Sequence, residues 1–222
     1  MADDQSPVKQ RLLITFGKSG ALKYTSNLDT AKIWERVLRR ADLPLLYSQG
    51  FNTRPRIQLA SALPLGITSE CELLDVSLKE IIPLEGVRER LLEVSPPGLD
   101  IYKVESIEVQ YPTLQNRVKS AEYCIQFEEP VDPVELQQRI DDLLARPSII
   151  KTTERKGRKH VTDLRSLIYN LIIDAQGDLI AHIAVGDHGN VRPEDILREL
   201  ALDHLHSRVH RRKLFLDLPA KP

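Results

Sequence analysis

The sequence predicts an α+β fold made of two consecutive βαββαβ halves. Three observations predict it. Short runs rich in Val, Ile, Leu and Tyr alternate with longer amphipathic segments, the order strand, helix, strand, strand, helix, strand occurs once in each half, and turn residues fall between the runs. The chain has 222 residues, of which 41% are hydrophobic, enough for real cores in two small domains.

In the first half, "QRLLITFG" (10–17) is a strand and "SNLDTAKIWERVLRRAD" (26–42) a helix capped by Ser26, with Asp29 three residues on. Leu28, Ala31, Trp34, Val37, Leu38 and Ala41 form its expected buried stripe, which turns Lys32, Arg36, Arg39 and Arg40 outward. "LPLLYS" and "RIQLA" form a bent strand pair around a turn, and "CELLDVSL" (71–78) is the next strand. "LEGVRERLLEV" and "DIYKVESIEV" supply a helix and a closing strand. The second half repeats the order with variations. "SAEYCIQFE" (120–128) is a strand, and "DPVELQQRIDDLLAR" (132–146) a helix with Asp132 as cap and Pro133 at its first position. "SIIKTTER" is a strand, "SLIYNLII" and "DLIAHIAV" form a hairpin around "DAQGD", "RPEDILRELALDHL" is a helix and "RRKLFLDL" the last strand. Both halves are thus ferredoxin-like, with helices packed on antiparallel sheets. The expected domains are residues 1–112 and residues 113–222, the second carrying a basic turn.

Charge and cysteine content exclude several classes. Lys and Arg number 31 against 32 Asp and Glu, so no global field draws the chain to nucleic acid or membrane, and any anion site is local. The two cysteines, Cys71 and Cys124, lie in alternating strand-like runs and read as reduced core residues. No basic leader followed by an apolar stretch opens the chain, and no run reaches the roughly 18 apolar residues of a membrane span. The expectation is a cytoplasmic protein with no membrane contact.

Three basic constellations are candidates for binding RNA or another anion. "YSQGFNTRPRIQLA" (47–60) sets Tyr47 and Phe51 beside Arg54 and Arg56. Arginines offer planar forked donors and aromatic rings offer stacking faces, a pairing suited to phosphates and unstacked bases. The alternative is structural: the rings pack under the turn while the arginines cap carbonyls. Arg36, Arg39 and Arg40 are a second set, or a solvated face in which Glu35 pairs with Arg39. The third is "TTERKGRKHVTDLR" (152–165), where Arg155, Lys156, Arg158, Lys159 and Arg165 surround Gly157, and an Asp163–Arg165 ion pair is the plain explanation of its end. "HLHSRVHRRK" adds Arg208, Arg211, Arg212 and Lys213.

His182, His188, His204, His206 and His210 have no spacing that gathers three or four metal ligands, so no metal and no cofactor is expected. There is no phosphate-binding loop, dinucleotide fingerprint or nucleophile elbow, and catalytic residues are unassigned.

The segment "FGKSGALKYTSNLDTAKIWERVLRRADLPLLYSQGFNTRPRIQLASALPLGITSECELLDV" resembles the N-terminal signature of a bacterial radical-SAM-associated (radical-SAM-linked) family, a domain of unknown function. The likeness is close over residues 11 to 78 and continues through "GRKHVTDLRSLI", "VRPEDIL" and "RVHRRKLFL". It implies an accessory protein that acts with a radical-SAM enzyme in RNA modification. Two cysteines do not supply the three thiolates of a radical-SAM cluster, so the chemistry would be the partner's. The leading expectation is a non-catalytic RNA-binding module. The alternatives are a scaffold that docks the enzyme without touching nucleic acid, and a metal-independent RNA endonuclease of the duplicated ferredoxin-like type, the latter an architectural analogy.

Overall fold

A computed structural model describes residues 8–49, 51–155 and 157–217, with only the backbone of Arg155 and Arg158. The chain is α+β, its strands mostly antiparallel and its helices few. The described residues divide into two compact units, one of residues 8–118 and 217, the other of residues 119–216.

The first unit begins with β1 (Gln10–Lys18), a 3-10 turn and α1 (Asn27–Arg40), followed by β2 (Ile57–Leu59), β3 (Thr68–Leu78), α2 (Val87–Glu93), β4 (Leu99–Ile107) and the short α3 (Leu114–Arg117). The strand order is β4-β1-β3-β2, every neighbour antiparallel. Alternation along β1 and β3 turns Leu12, Ile14, Phe16, Leu74, Val76 and Leu78 to one face, where they close over Trp34, Val37 and Leu38 of α1 and Val87 and Leu91 of α2. Trp34 packs edge-on against Phe16, ring centroids 5.0 Å apart.

Local chemistry sets the ends of α1. The Ser26 hydroxyl accepts from the Asp29 backbone N–H at 3.1 Å and donates to its carboxylate at 2.7 Å. The expected stripe holds at Trp34, Val37, Leu38 and Ala41 but fails at Leu28, which is 73% exposed; Thr30 is buried in its turn. Thr30 is held there by hydrogen bonds to the Ser26 carbonyl and the Thr25 hydroxyl, so polar bonding overrides hydropathy.

On the other face of this sheet, Arg11 and Asp75 form a buried pair. The Arg11 Nε donates to Asp75 at 3.2 Å, a second guanidinium nitrogen contacts the other carboxylate oxygen, and the third donates to the Val109 and Tyr111 carbonyls.

The second unit contains most of β5 (Val118–Phe127), then α4 (Pro133–Ala145), β6 (Ile150–Arg155), β7 (Arg158–Asp163), β8 (Ile168–Ile173), β9 (Leu179–Ala184), α5 (Pro193–Glu199) and β10 (Ser207–Leu216). Its main strands run in the order β10-β5-β9-β8. The expected strand 148–155 does not join them: it pairs with β7 in a separate two-stranded hairpin, with Gly157 in the tip at φ +72°. Polar, charged β7 gave no apolar signal, because a two-stranded ribbon buries little of either face. Lys151 anchors the hairpin to α5, donating to Asp195 at 2.6 and 2.7 Å. The expected helix over 192–205 stops at Glu199, where Ala201 takes φ +56° and the Leu202 N–H turns back to the Leu197 carbonyl. Among the described residues no helix is long and apolar enough to cross a membrane.

Candidate nucleic-acid interface

In the first unit the stretch 47–55, flanked by Leu46 and Arg56 whose backbones both bond to Ser77 of β3, projects as a narrow excursion. The Ser48 N–H donates to the Arg54 carbonyl at 2.7 Å, the Arg54 N–H to the Ser48 hydroxyl at 3.1 Å and the Arg56 N–H to the Leu46 carbonyl at 2.8 Å. The backbone of both arginines thus carries the excursion, while Gly50 at its turn lies outside the described residues. Phe51 does not pack under the turn: it is fully exposed. Tyr47, 38% exposed, accepts from Arg39 Nε at 3.3 Å, and Arg39 also pairs with Glu35 at 3.6 Å, the expected i, i+4 contact.

The other guanidinium groups are differently placed. Arg36, Arg40, Arg54 and Arg56 are exposed, and none has a side-chain hydrogen bond or ion pair to a described residue. The capping role considered for Arg54 and Arg56 is therefore not seen. Arg36 and Arg40 border a groove of about 530 Å³ beside α2, floored by Ile33, Val37, Val94 and Pro96 and carrying Glu93. Arg56 instead borders a cavity of about 400 Å³ with Arg11, Asp75, Gln58 and Ser77. Arg11, Asp75 and Ser77 alternate with the core-facing Leu12, Leu74 and Val76, so this cavity opens on the face away from α1. Arg36 and Arg40 thus border one recess and Arg56 another, and Arg39 and Arg54 border neither.

In the second unit, Lys159 is exposed near the hairpin tip, whereas Lys156 and the side chains of Arg155 and Arg158 lie outside the described residues. Arg165 does not pair with Asp163. Its guanidinium donates to the Leu144 carbonyl at 3.0 Å and the Ile168 carbonyl at 3.2 Å, bracing the hairpin base. The Asp163 carboxylate accepts the backbone N–H groups of Ile149 and Arg165, at 2.8 and 2.9 Å, and these bonds hold its pKa below the usual value. Arg211, expected in a basic cluster, is completely buried, its guanidinium 3.5 Å from the Tyr123 hydroxyl.

Two constellations escaped the sequence reading because their members are distant in the chain. Ser120 lies 2.8 Å from His182 Nε2, a hydroxyl–imidazole pair, but at 4% exposure Ser120 is closed to a substrate as nucleophile. Cys124, Asp174 and Asp178 bring ligand atoms within 4.8 Å of one another, the one such group among the described residues. Local bonding accounts for it: Asp174 accepts the N–H groups of Gln176 and Asp178 in the β8–β9 turn, and Asp178 accepts from Gln126 at 2.7 Å.

Burial first, and then the hydrogen bond to Asp178, pushes the Cys124 thiol up from 9.0 to about 11. In the pH interval between these values the unfolded thiol gives up its proton while the folded one keeps it, so stability falls as pH rises through it. The expected loss is about 2–3 kcal/mol. Urea titrations followed by circular dichroism at successive alkaline pH values should show this limb, and Cys124→Ala should remove it.

The fold is α+β, and in its first unit Arg54 and Arg56 are exposed, without side-chain partners among the described residues, in the stretch that also exposes Phe51. The chain belongs to the family described as an uncharacterized protein conserved in bacteria (DUF2344), whose model matches residues 11–193. No curated protein matches it. Among solved structures it is similar to a chain in the crystal structure of a Cbf5-Nop10-Gar1 complex, with 12% identity, a TM-score of 0.45 and coverage of 91% of this chain and 48% of that one. It is similar also to a chain in an archaeal box H/ACA sRNP Nop10-Cbf5 complex, with 10% identity, a TM-score of 0.39 and coverage of 92% and 47%. It spans about half the length of each of these chains.

Proposed function

We propose that the protein is a non-catalytic accessory module that binds RNA. The observation that carries this reading is the pair of exposed guanidinium groups of Arg54 and Arg56, without side-chain partners among the described residues, in the stretch that also exposes Phe51. A guanidinium with no internal partner keeps its five donors for phosphate, and an exposed ring offers a stacking face. Action beside a radical-SAM enzyme is proposed on the resemblance of the 16–76 stretch, and a cytoplasmic location on the two free cysteines. The matching strand orders of the two units support reading the chain as a duplicated ferredoxin-like fold, with the halves divided near residue 112 and the β6–β7 hairpin inserted in the second.

The test is RNA binding across a salt series. Each phosphate contact contributes about 0.7–0.9 to the slope of log affinity against log salt, so Arg54→Ala with Arg56→Ala should flatten it by about 1.4–1.8. Thermal stability should hold, since both residues serve the fold through backbone groups. Unchanged binding with lost stability would make the arginines structural, and a parent protein that binds no RNA would overturn the reading. A scaffold without nucleic-acid contact is the second reading, favoured by the apolar floor of the groove at Arg36 and Arg40.

A further inference from the structure

The first unit's sheet has a polar face as well as a core face. Gln58 of β2 stands opposite Asp75 of β3, and Arg56 opposite Ser77, whose N–H donates to the Arg56 carbonyl at 3.0 Å. Ser77 in turn pairs with Arg11 of β1, so all five side chains share the face away from α1. They line the cavity of about 400 Å³, together with Val8, Val109 and Thr113.

Hydrogen-bonding capacity is left unused there. The Arg56 guanidinium, the Gln58 amide and the Ser77 hydroxyl make no side-chain hydrogen bond to a described residue. Arg11 gives four of its five guanidinium N–H groups to Asp75 and to the Val109 and Tyr111 carbonyls, which leaves one. Each Asp75 oxygen accepts one of these bonds and keeps a lone pair. A cation and an anion, 8% and 5% exposed, thus still offer a donor and an acceptor to the recess they line. Their charges cancel, and Arg56 is the uncompensated charge among the residues that line it.

A ligand that fits these groups has three parts. An edge with donors and acceptors side by side suits Gln58, Ser77 and the Arg11–Asp75 pair, apolar faces suit Val8 and Val109, and an anionic group suits Arg56. A nucleobase has such an edge between two apolar faces, and its phosphate carries the charge. The volume lies within the roughly 300–1,000 Å³ of small-ligand sites.

We propose that this cavity receives one unpaired nucleotide of an RNA strand, its base edge on Gln58, Ser77 and the Arg11–Asp75 pair and its phosphate on Arg56. The proposal rests on the RNA-binding reading and gives it a pocket. A base within a duplex has its edge closed by its partner, so only an unpaired or extruded base enters.

The experiment uses the full chain, a fluorescent single-stranded oligoribonucleotide of mixed sequence, and the four ribonucleoside 5′-monophosphates with inorganic phosphate as comparison. At least one mononucleotide should displace the oligonucleotide and shift the Arg11 Nε–H and Gln58 amide resonances, which inorganic phosphate should leave in place. Gln58→Ala and Ser77→Ala should each weaken oligonucleotide and mononucleotide binding by roughly 2- to 10-fold, the worth of one hydrogen bond, and Arg56→Ala by about 10-fold or more. Melting temperatures should stay at the parent's value, because none of the three side chains has a partner among the described residues. If Gln58→Ala and Ser77→Ala keep the parent's affinity for the oligonucleotide, the cavity falls and the RNA-binding reading stands. A mononucleotide that binds without displacing the oligonucleotide would make this a site for free nucleotides and overturn the strand's place in it. If the parent binds no RNA, the reading and the proposal fall together.

Discussion

Replacing Asp75 with Ala is expected to destabilise the first unit by about 3–5 kcal/mol, the usual loss when one partner of a buried ion pair is removed. Arg11 and Asp75 are 8% and 5% exposed. The guanidinium holds the carboxylate through two nitrogens and the Val109 and Tyr111 carbonyls through the remaining one. Without the carboxylate, a buried cation keeps only two carbonyl partners. Arg11→Met with Asp75→Leu should recover much of the loss, since the pair's own net contribution is small once desolvation is subtracted. Equilibrium urea unfolding of the single and double variants checks both statements; a single variant within 1 kcal/mol of the parent, roughly the level of an exposed pair, would show the pair to be solvated.

Gly98→Ala is expected to cost about 2–4 kcal/mol. Gly98 is the third residue of the turn Pro96-Pro97-Gly98-Leu99, closed by the Leu99 N–H to the Pro96 carbonyl at 3.1 Å, and it takes φ +88°. That is a type II turn, whose third position favours glycine. Its carbonyl accepts the Ser19 N–H at 2.9 Å, and an added Cβ would stand 2.5 Å from the Ser19 carbonyl oxygen, a backbone atom that no rotamer change moves. Gly86→Ala is the control. Gly86 has φ +71° but nothing within 4 Å of its Cβ position, so it should lose only the conformational part, about 1–2 kcal/mol. Thermal melts of the two variants should separate the steric cost from the dihedral one.

What was legible in the sequence was local. The Ser26 cap, the Asp132 cap with Pro133 behind it and the Glu35–Arg39 pair each need only a few consecutive residues, and the structure has all three. The order of the main strands and helices followed from periodicity. Leu28 is exposed where a 3.6-residue period puts it in the stripe, because the first turn of α1 is seated through Thr30, which hydrogen bonds to Ser26 and Thr25 hold inward. Arg11 and Asp75 escaped notice because they meet diagonally: Arg11 pairs with Ser77 and Leu13 with Asp75, a register that sequence does not supply. The packing of Tyr169 and Phe215 against His182 in the second unit was out of reach for the same reason, and Tyr169 sits at a bulge in β8.

The solitary tryptophan of this chain, Trp34, is wholly enclosed in the core of the first unit. Its emission therefore reports on that unit alone, while Tyr123 and Tyr169 of the second contribute no indole signal. Fluorescence and circular dichroism recorded on one denaturation sample then measure different things: the first follows half of the molecule, the second all of it. Coincident curves mean that the units unfold as one cooperative block, and separated curves that each has a stability of its own. The protein carries a built-in optical probe for whether its two halves are thermodynamically coupled.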